Sequence, residues 1–364
     1  MKPLPANRTY DAYTSRDDYL RAAAFYETTR LQSLPVATQN DAALFSDDHF
    51  AVPLAAGGPT IKFIRVEPSS YIDRLNEALR DQIIAIPNRN NDMARWRDML
   101  EVHRQNRVTV SYPYYMSETI ITNRMFQAFV DETRYTTTVE RYKTGWFVDR
   151  EAQWFQGVSN SYQLQPWPMS ELEHPVGQVS WFDAMHFAAW VGHKAGIFCR
   201  VPTKEEWTLA ARPAVLKDQV CALPWGNDFD GLDKRMNFGT SELTDYMWIH
   251  EQYADGHALT SPVKAFPPNE RGLYDMMGNV WVWNYTNAAT YEQRPVAERT
   301  ATVPRLDELG VDRNAHISLL GGCFLARVTH TTLFSKMSHP ALDGAGDIGF
   351  RLVAVQPAQA GLGE

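Results

Sequence analysis

The densest run of side chains able to do chemistry lies late in the 364-residue chain, in GGCFLARVTHTTLFSKMSHPALDGAGD at 321–347. Within it Cys323, Arg327, Thr329, His330, Thr331, Ser335, Lys336, His339, Asp343 and Asp347 are interleaved with Phe324, Leu325, Leu333 and Phe334. Adaptable polar groups beside a few apolar anchors suit recognition of a ligand or a protein. The same mixture also fits a solvated loop surface. Two imidazoles and a carboxylate can form the facial triad of a non-haem iron centre. Here that triad would be His330, His339 and either Asp343 or Asp347, although nothing in their spacing selects the set. Cys323 has no flanking Lys or His to lower its pKa. A small buried hydrophobe therefore competes with a reactive thiol at that position.

Composition excludes several classes. Cys199, Cys221 and Cys323 are far apart, odd in number and form no CxxC pair, which argues against a disulfide framework and a structural zinc site. A formal net charge of -8 and a pI near 5.7 argue against a nucleic-acid partner held by bulk charge. No segment approaches the ~18 uncharged apolar residues of a membrane helix. The opening MKPLPANRTYDAYTSRDDY has no apolar run after its Lys. The expectation is a cytoplasmic protein with no membrane partner.

The elements that position these residues divide near residue 107. The stretch 1–107 reads as mostly helical, with apolar stripes at Tyr19, Leu20, Ala23, Ala24 and Leu31, at Ile72, Leu75, Leu79 and Ile83, and at Met93, Trp96, Met99 and Leu100. Such helices could dock a partner or mediate oligomerisation. VPLAAGGPT (52–60) reads as a loop or linker. From 108 to 356 the texture changes, and 357–364 reads as a tail. Val108, Val110 and Tyr112 alternate as a strand. Thr122 or Asn123 can cap a helix bearing Met125, Phe126, Phe129 and Val130. Ser180 with Asp183, and Thr203 with Glu206, have capping-box spacing. Beyond 213 periodicity fades into Gly, Pro, Asn and Trp, a loop region long enough to need an organising centre. Periodicity alone predicts an α+β fold.

Seven segments, in order and spacing, resemble the formylglycine-generating enzyme family, also called sulfatase-modifying factors. They are 116–130, 174–190 (HPVGQVSWFDAMHFAAW), 200–212 (RVPTKEEWTLAAR), 223–228, 261–283 (ending GNVWVW), 319–324 (LLGGCF) and 348–353 (IGFRLV). The resemblance implies a C-type-lectin-like domain with long ordered loops and a cleft lined by 323–347. Members of that family include copper oxidases that convert a sulfatase Cys to formylglycine, iron-dependent sulfoxide synthases, a siderophore-maturation enzyme and proteins that only bind ligands. In the copper enzymes two thiolates hold Cu(I). The positions matching that pair are Ala326 and Thr331 here. This excludes copper and the formylglycine-generating activity. The motif that supplies an iron site in related oxygenases is missing as well, so iron is not favoured.

The resemblance also implies structural Ca²⁺, held by the Asn237 side chain, the Phe238 carbonyl, Asp255 and the His257 carbonyl, which are hard oxygen donors. Plain Asx turns are the competing account. A second calcium site of the family needs a carboxylate where Val282 stands, which predicts its loss. An aromatic insertion at 144–175, with Trp146, Phe147, Trp154, Phe155 and Trp167, matches a wall of the family's cleft and either binds a flat ligand or packs on the body. The retroelement-diversified variable proteins of the family, bacterial or phage, vary just ahead of a closing GFR, where 323–347 lies. The resulting expectation is a non-catalytic binding or accessory protein for an unidentified ligand or protein, with an oxidoreductase of different chemistry as the alternative. The binding surface would use Cys323, Phe324, Arg327, Thr329, His330, Thr331, Ser335, His339, Asp343, Asp347, Trp146 and Trp154, and substitutions across 327–343 would leave folding intact.

Overall fold

The structure is a computed structural model, and it describes residues 16–32, 47–73, 75–90, 100, 106–148, 154–156, 171–216, 218–243, 246, 248–288, 315–335 and 337–356. Among them the helices are α1 (Arg16–Gln32), α2 (Glu77–Ile84), α3 (Asn123–Thr133), α4 (Thr138–Tyr142), α5 (Trp181–Ala195) and α6 (Lys204–Ala211). The first seven strands are β1 (His49–Pro53), β2 (Thr60–Val66), β3 (Ser69–Asp73), β4 (Asn106–Val110), β5 (Tyr114–Ser117), β6 (Gly145–Val148) and β7 (Trp154–Gln156). The rest are β8 (Phe198–Arg200), β9 (Trp281–Asn287), β10 (His316–Leu320), β11 (Met337–Pro340), β12 (Gly344–Ala345), β13 (Ile348–Gly349) and β14 (Val353–Val355).

The central sheet runs β1-β2-β5-β14-β8, with every neighbour antiparallel. Side chains alternate across it, as the period of two requires. Tyr115 and Ala354 enter a core shared with α1, α3 and α5, while Tyr114, Met116, Val353 and Val355 enter a second core with α2 and α6. A second sheet, β11-β10-β9-β13, carries Trp281 and Trp283 as alternate, buried residues of β9 under the loops. Sheets β12-β6-β7 and β3-β4 complete the fold.

Local chemistry explains the helix starts. Thr122 caps α3 through the Met125 N–H. Ser180 with Asp183 and Thr203 with Glu206 form reciprocal capping boxes on α5 and α6, each satisfying donors that the helix leaves open. These match the sequence reading.

The region before residue 107 needs correcting. Among its described residues helices α1 and α2 share the stretch with β1, β2 and β3, and β1 and β2 form one side of the central sheet. Residues 52–60 are not a linker, because Val52, Pro53 and Thr60 lie in the strands of a hairpin whose turn closes between Leu54 N–H and the Pro59 carbonyl at 2.9 Å. Ile72 belongs to β3, and Leu79 and Ile83 to α2. The four-residue stripe spans a change of period, and Asn76 caps α2 inside it through the Leu79 N–H. Met93, Trp96 and Met99 lie outside the described residues. Helix α1 buries Ala23, Ala24 and Leu31 in this chain's own core, against α5.

Candidate functional site

After β10, Gly321 and Gly322 take left-handed backbone (φ 98° and 76°) and turn the chain. A Cβ on Gly322 would lie 2.4 Å from Thr331 Cγ2 and 2.9 Å from the His330 carbonyl. The GG pair therefore lets the two ends of the 322–331 loop touch. Cys323 follows at the floor of this loop, fully buried, and its thiol donates to Asp347 Oδ2 at 3.4 Å. Burial pushes the Asp347 carboxyl up to about 6 and the Cys323 thiol well above its usual value, the latter reinforced by the Asp347 charge. Cys323 is thus a neutral donor with no thiolate character.

Arg327, also buried, lays its guanidinium 4.6 Å from the Trp248 ring centroid. Tyr246 meets Trp248 edge-on at 5.5 Å. The Tyr246 hydroxyl is held protonated by burial and by the neighbouring Cys323 and Asp347. Tyr246 and Trp248 are both partly exposed. These five residues lie together, two partly exposed aromatic side chains beside three buried polar ones. Of this cluster the sequence reading named Cys323, Arg327 and Asp347 and did not name Tyr246 and Trp248. Their one signal was an i, i+2 aromatic pair in a stretch otherwise without period.

Other expected residues lie elsewhere. Thr331 is buried and its hydroxyl donates to the Val328 carbonyl at 3.3 Å; Ser335 is buried and donates to the Thr332 carbonyl at 2.7 Å. Phe324 is in the core and Thr329 is buried beside His330 Nδ1, 3.1 Å away. These interior roles count against the solvated-surface account of 323–347 at those positions, and against the expectation that 327–343 can be substituted with folding intact. His339 sits in β11 opposite Ile317, with its ring 6.1 Å from that of Trp283. Burial lowers both His330 and His339 to about 4, helped by the Arg327 charge at His330. Among the described residues no three His, Cys, Asp or Glu side chains are placed to hold a metal ion, so His330, His339, Asp343 and Asp347 do not assemble the imagined triad. Asp343 is half-buried after β11, and its N–H donates to the Pro340 carbonyl. Trp146 packs partly buried against the core, while Trp154 stays 39% exposed. The side chains of Phe147 and Phe155, and all of Trp167, lie outside the described residues.

The loop at 237–257 is organised around Asp255. Its Oδ2 accepts the Phe238 N–H and its Oδ1 the His257 N–H, both at 2.9 Å. Burial raises Asp255 to about 6. Asn237 is buried; its Nδ2 donates to the Leu259 carbonyl at 2.9 Å, while its Oδ1 is buried with no hydrogen-bond partner. A buried acceptor left open is costly, about 1–3 kcal/mol, and a hard cation would satisfy it. At the second expected site, Asn279 pairs its amide with the Ser261 backbone, accepting from the N–H at 3.0 Å and donating to the carbonyl at 3.1 Å.

Comparison with known proteins agrees with this architecture. Residues 75–356 match the sulfatase-modifying factor enzyme 1-like domain. The chain belongs to the sulfatase-modifying-factor family. Its relatives include the formylglycine-generating enzyme of Thermomonospora curvata, 31% identical over 267 residues, covering 66% of this chain and 82% of that protein. They also include the inactive C-alpha-formylglycine-generating enzyme 2 of Mus musculus, 39% identical over 194 residues, covering 47% of this chain and 56% of that protein. PvdO from Pseudomonas aeruginosa has a similar fold (TM-score 0.57, 19% identity, 84% of this chain and 97% of that one). So does Treponema denticola variable protein 1 (TM-score 0.55, 15% identity, 85% and 99%). At those identities the likeness is one of fold.

Two buried arginines tie parts of this sulfatase-modifying-factor scaffold together. Arg200 pairs with both oxygens of Glu206 at 2.7 Å, and Glu206 also accepts from Tyr112 and from the Thr203 N–H. Arg351, from the closing GFR, donates to the carbonyls of Ser117, Tyr274 and Asp275. It thereby ties the central sheet to the loop ahead of β9.

Proposed function

We propose that this sulfatase-modifying-factor family member is a non-catalytic binding or accessory protein on a C-type-lectin-like scaffold. Its recognition site is the mouth formed by Tyr246, Trp248 and Arg327 over Cys323 and Asp347. One observation carries the reading: Ala326 and Thr331 occupy the positions of the copper-holding thiol pair, and the one nearby thiol, Cys323, is a neutral donor to Asp347. Copper held by two thiolates has no ligands here. The inactive mammalian relatives support the same reading.

Calcium is the cofactor we assign. Asn237 Oδ1, the Phe238 and His257 carbonyls and Asp255 would hold it, and it would order the loop behind the mouth without entering chemistry. The orphaned Asn237 Oδ1 supports that assignment. Three free, buried cysteines support a reducing, cytoplasmic setting, and the acidic charge supports a partner other than nucleic acid.

The test is elemental analysis of protein purified without added metal, paired with oxygen uptake in the presence of copper and a cysteine peptide. The reading expects about one calcium per chain, no bound copper and no uptake above the blank. Stoichiometric copper with conversion of the peptide Cys to an aldehyde would sink it.

A further inference from the structure

Arg212 ends α6 as its C-terminal cap residue, and it is 2% exposed. Its guanidinium carbon lies 4.9 Å from the Tyr71 ring centroid and 5.7 Å from that of Phe334. None of its three side-chain nitrogens has a hydrogen-bond partner. The carboxylate that acts on it electrostatically, Asp73 in β3, forms no ion pair with it, and neither does Cys221.

Two other buried arginines are matched to acceptors. Arg200 has a bidentate carboxylate, and Arg351 has three backbone carbonyls. A guanidinium keeps its proton in a protein and carries five N–H donors in one plane. Aromatic faces attract the charge but accept none of those bonds well. A desolvated, unpaired cation costs several kcal/mol. Burial already lowers Arg212 below its ordinary value. Among the described residues none supplies an acceptor, which points to one from solution.

We propose that Arg212, between Tyr71 and Phe334, is a binding site for one small monoanion, a halide or a simple carboxylate. Charge balance sets the class. One cation in an apolar wall matches one negative charge, whereas a phosphate dianion would bring an unpaired charge of its own into the same place. The aromatic walls also favour an anion that sheds its hydration shell easily. The site joins β3, the end of α6 and the 328–335 segment, so its occupant would act as a fastener behind the mouth. It is separate from the calcium assignment and does not depend on the mouth's function.

Thermal unfolding of the full chain at fixed ionic strength tests this, with the sulfonate isethionate as the reference anion and chloride, bromide or acetate added in its place. The midpoint should rise saturably with at least one of them. An anion at ten times its Kd multiplies the folded-to-unfolded ratio about 11-fold. The species that acts names the source, halide or carboxylate. Arg212→Met keeps the contacts with both rings and removes the cation, so its midpoint should not respond. Should that variant fail to fold, bromide-soaked crystals of the wild type decide: an anomalous peak within hydrogen-bond distance of the guanidinium is expected. No anion-specific rise and no such peak would overturn the site, as would an equal response in Arg212→Met.

Discussion

Asp347 and Glu206 are both buried carboxylates, and their surroundings push them in opposite directions. At Glu206 the Arg200 guanidinium outweighs burial and holds the carboxyl below its ordinary range. Its stabilising contribution is present at neutral pH and fades as pH falls through the folded value. Glu206→Gln strands the Arg200 charge, and unfolding in denaturant at pH 7 should show a loss of about 3–5 kcal/mol. At Asp347 burial wins, and the folded group binds its proton up to about 6, against an ordinary value of 3.8. Between those values the native state holds more protons than the unfolded chain, so stability falls as pH rises. A shift of that size corresponds to about 3 kcal/mol at most. Asp347→Asn should therefore gain on the wild type as pH rises from 4 to 7, read as the difference between the two curves. A constant difference across that range would contradict the buried position of the carboxylate.

At the scale of elements, tight backbone approaches set what the loops can tolerate. Gly278 has φ 73°, and a Cβ there would fall 2.1 Å from the Asn237 carbonyl. Gly278→Ala must push the Asn237 loop outward, so we expect a destabilisation of at least ~2 kcal/mol. Calcium stoichiometry should fall with it, checked by unfolding and elemental analysis. Thr203→Ala is the milder control: losing that cap should cost about 1 kcal/mol with calcium unchanged. These elements also mark how far the sequence could be read. The capping boxes at Ser180 and Thr203 were legible because both partners lie within one turn. Tyr246 and Trp248 were not, because their meaning comes from Arg327, some eighty residues away. Ile72, Leu75, Leu79 and Ile83 were rightly placed as apolar and buried, yet their spacing matched a helix across a strand-to-helix junction. The pairing of β2 with β5 left no local trace, since register between distant strands is a tertiary choice.

For the whole molecule, the loops between α6 and β9 carry little regular structure, and their order rests on point ties such as Asp255, Asn279 and Arg351. Chelation tests the proposed calcium. With excess EDTA the thermal midpoint should drop by several degrees, calcium but not magnesium should restore it, and Asn237→Ala should show neither response. Indifference of the wild type to EDTA would return the loop to plain Asx turns.

The central sheet has one more implication, for how the protein is made. Its order places β14 between β5 and β8, so residues 353–355 fill the middle of a sheet begun by 49–66. While the chain is being synthesised, β5 and β8 cannot acquire their shared neighbour until those residues leave the ribosome. A message cut short before codon 353 would yield a polypeptide with every residue of the proposed mouth and no closed sheet to hold them. Such a product would be a substrate for proteolysis rather than a weakened version of the protein.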